Sequence, residues 1–199
     1  MALLHVGVAP AGPIDTVLAQ VGSRTISSSD IALARALGVL GFAPSASPIE
    51  RSDVERFVDD LLLLEEAGRI GLEVEPAAID AAWVAAGIRA GGDAALERWL
   101  DTNAIDRAWA RRFVEEDLMK EKFLDARFAA FVFPDEDAVT RELAPGQPVE
   151  SLREQARQRL IRRVASEAQA LWLADARRRA SIKILLPAGA SAAPPFTLP

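Results

Sequence analysis

SPIERSDVERFVDDLLLLEEAG, residues 47–68, carries the strongest periodic signal in the chain. Ser47, Pro48, Ile49 and Glu50 read as a capping box with proline at the first helical position, where its missing N–H costs nothing. Val54, Phe57, Val58, Leu61, Leu62 and Leu64 follow at three- and four-residue spacing, so one face of the helix they predict must be buried. Gly68 and Gly71 mark its end. A stripe this apolar needs other helices around it.

Downstream, the pattern supplies them. A helix is expected from Pro76 through Trp83 to Ile88, broken by Gly91-Gly92, then a short one from about Ala94 to Asp101 with Leu96, Trp99 and Leu100. Asp106 opens a longer helix bearing Ile105, Trp109, Phe113, Leu118, Phe123, Leu124, Phe128 and Phe131, which ends before Pro134. Asp135 caps a brief helix to about Leu143. Val149 to Arg179 reads as one long helix, with Val149, Leu152, Ala156, Leu160, Val164, Ala168 and Leu171 in register.

Upstream, Val17, Ala19 and Val21 alternate with Leu18 and Gln20, Gly22-Ser23 supplies a turn, and Arg24-Thr25-Ile26 completes a hairpin. Ser27, Ser28 and Ser29 offer caps for a helix from near Asp30 to about Leu40, ended by Gly41. At the far end Ile182, Ile184 and Leu186 alternate as a short strand, and edge segments at opposite ends of the chain invite each other. The expected fold is all-α, mostly helical, with a minor β element in which the N- and C-terminal strands pair, over residues 17–186. Residues 1–16 are expected to be a flexible leader or signal remnant, because Ala9-Pro10-Ala11 resembles a cleavage site although no basic n-region precedes it. The Pro- and Ala-rich residues 187–199 are expected to be an unstructured tail.

With 50% hydrophobic residues in 199, the chain can bury a real core. A net charge of -6 argues against a dedicated nucleic-acid binder, which needs a concentrated positive surface. Cysteine is absent and His5 is the single histidine, so thiolate sites, a Ser-His-Asp triad and multi-histidine metal sites are excluded. No Gly-rich phosphate loop is present and no apolar run approaches the roughly 20 residues of a membrane span. No cofactor, metal or integral membrane segment is expected. The acids of Glu115-Glu116-Asp117 point in different directions from a helix, and those of Asp135-Glu136-Asp137 suit a helix N-terminus, so neither run reads as a catalytic pair. The last helix carries eight arginines against four acids, giving it +4 while the rest of the chain carries -10; internal pairing plus a solvated face is the economical reading.

Three stretches together carry a resemblance. Leu18-Ala19-Gln20-Val21-Gly22-Ser23-Arg24-Thr25-Ile26-Ser27 precedes an acidic residue, Asp30; Leu61-Leu62-Leu63-Leu64-Glu65-Glu66-Ala67 runs into Gly71-Leu72-Glu73-Val74; and Trp172-Leu173 leads to Arg177-Arg178-Arg179-Ala180-Ser181-Ile182-Lys183-Ile184. In that order and spacing they resemble the core of SurA-type periplasmic chaperones and peptidyl-prolyl isomerases: an opening strand, turn and helix, a Leu-rich helix with its "G-x-x-V" link, and a closing helix and strand. Gly22-Ser23 stands where the family usually has Asn-Gly. The family's parvulin domain would enter between Ala144 and Pro148, and five residues cannot hold it. The resemblance therefore implies a chaperone core without isomerase activity, binding unfolded or exported polypeptides without ATP in the periplasm or another extracytoplasmic compartment.

For that role Trp83, Trp99, Trp109, Phe113 and Trp172 are the candidate peptide-binding residues, since flat amphipathic rings give large contact area at modest entropy cost. Aromatic stripes are more often core, so three of the four tryptophans are expected inside. A homo-oligomer built through the Val149 to Arg179 helix, as a self-associating scaffold, is the first alternative. A prolyl isomerase, or a subunit associated with one, is the second.

Overall fold

The computed structural model describes residues 15–143 and 150–196, with the side chains of 150 and 151 left aside. Of the leader expected at residues 1–16, residues 1–14 lie outside the described residues, as does the stretch 144–148, while the Thr16 amide donates to the Ser28 hydroxyl at 3.1 Å and that hydroxyl donates to the Asp15 carboxylate at 2.8 Å. The chain is mostly helical with a small antiparallel sheet, as expected. Strand β1 (Val17–Val21) turns at Gly22, which takes the left-handed conformation such a turn requires (φ 56°), into β2 (Arg24–Ser27). Strand β4 (Ile182–Ile184) pairs antiparallel with the other edge of β1, giving the order β2-β1-β4. The two ends of the described chain thus close one sheet, and Leu18, Ala19 and Ile26 lie fully inside it.

Helix α1 (Ser28–Leu37) is capped by Ser27, whose hydroxyl accepts from the Asp30 amide while the Asp30 carboxylate accepts from the Ser27 amide. It stops at Gly38, in the left-handed region (φ 65°), three residues before the expected Gly41. A two-residue strand, β3 (Ile49–Glu50), precedes α2 (Arg51–Arg69). The expected capping box at Ser47 is therefore corrected: the Asp53 carboxylate accepts from the Glu50 amide, and the helix begins one turn later. The cause is tertiary. Ile49 is drawn fully into the core, and buried Arg35 ties the Ser47 carbonyl (2.6 Å) and the Asp53 carboxylate (2.7 Å) to α1.

Helices α3 (Pro76–Arg89) and α4 (Asp93–Thr102) fall within a residue of their expected bounds. Helix α5 (Arg107–Leu124) starts where Asp106 caps it, but it does not run on to Pro134 as expected: Asp125–Ala129 forms a π segment. After α6 (Glu136–Arg141), α7 (Glu150–Arg179) lies across the others. The expected apolar row of α7 splits in use. Ala156 and Leu160 pack on Val139 of α6, while further along the row Val164 and Leu171 are exposed. Ala168 of the expected row turns inward instead with Ala165, Trp172 and Leu173, and these four meet α2 and the end of α5.

The tail expected to be unstructured is instead folded through residue 196. Strand β5 (Ser191–Ala192) pairs antiparallel with β3, and Phe196 meets Trp99 edge-on at 5.5 Å.

Candidate functional site at the end of helix α5

The π segment sets the geometry here. Five residues of α-helix turn the chain by 500°, which would put Phe123 and Phe128 about 140° apart around the axis. The wider π turn, closed by the Ala130 amide on the Asp125 carbonyl at 2.8 Å, brings both rings to one side. They meet at 6.0 Å, edge to face, and each also touches Trp172 of α7, at 5.9 and 6.3 Å. Such edge-on pairs favour this arrangement by about 0.5–1.5 kcal/mol each beyond area burial.

Two open cavities flank this trio. One of about 250 Å³ lies between the π segment and α7, with Leu124, Phe128, Ala129, Ile161 and Ala165 as its apolar lining and Asp125, Arg162 and Gln169 among its polar residues. The other, about 220 Å³, is floored by Leu62, Trp172, Ala176 and Ala180 and edged by Glu65, Glu66, Arg69 and Arg179. Glu66 is paired with Arg69 at 2.5 Å, and that hydrogen bond holds its carboxyl below the usual range. Just past the first cavity in the chain stand Phe131 and Phe133, 79% and 84% exposed.

The five candidate residues all belong to or pack on the main core rather than forming one exposed groove, and of them Trp109 and Phe113 are in ring contact. Trp83 is buried beneath the Arg107 guanidinium (5.4 Å to the ring), its Nε1 without a hydrogen-bond partner among the described residues. Trp99 is buried under Phe196, and Phe113 is buried between Phe57 (6.1 Å) and Trp109 (5.8 Å). Trp109 and Trp172 are half-buried, so two of the four tryptophans rather than three are fully inside. Trp109 borders a small cleft of about 130 Å³ with Arg24, Asp30, Arg112 and Glu116. Burial raises the pKa of Asp30 against its hydrogen bonds to Ser27, and burial also raises that of Glu116 against its ion pair with Arg24 at 3.3 Å.

Each acidic run contributes a side chain to the framework. Asp117 accepts from the Leu40 amide at 2.6 Å, and Glu136 binds Arg153 and Arg157 of α7. Among the described residues no group of three or more His, Asp or Glu side chains is placed to hold a metal. Sequence reasoning missed Phe133, Ile161 and Ala165 and treated Phe128 and Phe131 as helix stripe. The available signal was the run Phe131-Val132-Phe133-Pro134, in which proline ends the helix and leaves two aromatics beyond it.

In comparisons with known proteins, no family model and no curated protein matches the chain.

Proposed function

We propose that the chain is an ATP-independent, holdase-like chaperone for unfolded or exported polypeptides in an extracytoplasmic compartment. One observation carries this: Phe131 and Phe133 stand almost fully exposed, within four residues in the chain of Ala129, which lines an open cavity with an apolar wall. Burying one such side chain is worth about 1.5–3 kcal/mol, so a surface that keeps two of them in water is suited to a partner that covers them. Client side chains would lie on these rings and enter the cavity beside Phe128 and Ala165, and Arg162 would favour acidic flanks on the client. Binding by apolar burial and aromatic contact consumes no nucleotide and tolerates many sequences. The resemblance to SurA-type cores supports the reading, and in that resemblance the isomerase domain would enter at Ala144 to Pro148, five residues that cannot hold it.

The test is light scattering of a chemically unfolded outer-membrane-type client diluted with and without a near-equal molar amount of the chain. The parent suppresses aggregation, and the Phe131→Ser/Phe133→Ser double variant loses most of that effect with an unchanged thermal midpoint. Equal suppression by both proteins, or none by the parent, sinks the reading.

A second reading, self-association through α7, is favoured by Val164 and Leu171, 42% and 75% exposed and seven residues apart on one helix face. Sedimentation would then show a mass that rises with concentration and reverts with Leu171→Glu.

A further inference from the structure

We infer that the seam formed by β3 and Trp99 is a binding groove for an extended, uncharged peptide carrying an aromatic side chain, and that the chain's own residues 187–196 occupy it as an internal ligand. The framework ends just before this segment. The Leu185 and Leu186 amides both donate to the Leu18 carbonyl, at 2.8 and 3.2 Å, and the Leu186 carbonyl accepts from Arg51 at 3.0 Å. A turn follows, closed by the Ala190 amide on the Pro187 carbonyl at 3.1 Å, with Gly189 in the left-handed region (φ 76°). Beyond it the chain behaves as a docked peptide. Ala190, Ala192 and Pro194 are half-buried while Ser191 and Ala193 are exposed, the alternation of an extended strand reading a surface.

Two features of the seam match that recognition mode. Strand β3 lends its backbone edge, pairing Ile49 with Ala192 and Glu50 with Ser191, and Trp99 receives Phe196 at an interplanar angle of 84°. Added-strand pairing supplies sequence-tolerant affinity, and an aromatic anchor supplies the preference. The segment contains no charged residue, so no ion pair fastens it. Its ladder spans two residue pairs, and an open cavity of about 470 Å³ remains between Gly189–Ser191 and the start of α2. Tethering compensates for so short a ladder, because a joined ligand competes at an effective concentration in the millimolar range. A free peptide of the same pattern therefore binds well only when the internal one is weakened.

The probe is a labelled decapeptide with the sequence of residues 187–196, titrated by fluorescence anisotropy into the full chain, its Phe196→Ala variant and its Ala192→Asp variant. Both substitutions lie in the internal ligand and leave the groove intact, and either suffices should the other fail to fold. The expected result is binding at least about tenfold tighter to the variants than to the parent, lost when the peptide's own phenylalanine is replaced by alanine. Equal affinity for parent and variants, or no binding to any of them, overturns the inference. The outcome is separable from that of the aggregation assay, since the probe is the chain's own segment and touches neither Phe131 nor Phe133.

Discussion

Lys120 and Asp60 are two of the few charged side chains buried in the described chain, and they face each other between α5 and α2 at 3.2 Å, with Asp117 at 3.7 Å from the same ammonium. Asp60 is half satisfied: its Oδ2 has no hydrogen-bond partner among the described residues. Burial pushes its pKa up to about 6, against the pull of Lys120. A carboxyl whose folded pKa lies above its unfolded value of 3.8 favours folding most below that value and loses the contribution as pH rises through about 6. Urea unfolding of the parent and Asp60→Asn should therefore diverge between pH 4 and 7, the parent losing up to about 3 kcal/mol relative to the variant. Lys120→Met leaves the carboxylate unpaired and should cost about 3–5 kcal/mol at pH 7, less at pH 4 where Asp60 is neutral. A uniform cost across that range would contradict the titration assigned to Asp60.

At the scale of elements, the π segment acts as a one-residue insertion that the aromatic trio absorbs. Deleting exposed Ala126 restores four-residue spacing between the two phenylalanines, which also places them on one helix face. The expected outcome is a folded protein with a small drop in thermal midpoint. Deleting buried Val114, near the middle of α5, rotates Phe123 by about 100° relative to Ala110 and Phe113 and should abolish cooperative melting. Equal tolerance of the two deletions would mean that the trio does not hold the end of α5. Helix positions with strong caps and stripes, such as Pro76 and Asp106, were legible in the sequence because their signals are local. The start of α2 was not, since Ser47 and Pro48 satisfy the same local rules as Glu50, and only the contacts of Ile49 and Arg35 distinguish the two.

Across the whole molecule, closure depends on segments far apart in sequence. Leu186 is buried against the opening hairpin's sheet, while Leu171 on α7 points into water. Leu186→Ala should cost about 2–5 kcal/mol in chemical denaturation, and Leu171→Ala less than about 0.5 kcal/mol, although both leucines lie in the same C-terminal quarter of the chain. The basic arm and acidic body meet less directly than their opposite charges suggest. Arg177 bonds Asp59 (2.5 Å) and the Glu55 carbonyl (2.8 Å) of α2, but Arg153 and Arg157 pair with Glu136 of α6, Arg163 with Glu142 just past it, and Arg178 and Arg179 with Asp175 in their own helix. Glu136→Gln should loosen α6 at low salt and have little effect at high salt, as expected for exposed pairs; amide hydrogen exchange of Val139 reads that directly.

What the sequence determined by itself was the mostly helical class, the opening hairpin, the closing strand and their pairing, because periodicity, turns and caps act over a few residues and an unpaired strand edge has few ways to be satisfied. Tertiary structure decided the rest. It broke the long helix at Leu124, sent part of the expected apolar row of α7 inward and left part of it in water, and buried Trp83, Trp99 and Phe113. It also folded the uncharged C-terminal segment onto Trp99. In each case the local pattern allowed two or more burial arrangements of similar cost, and the choice fell to packing against residues far away in the chain, which no window along the sequence contains.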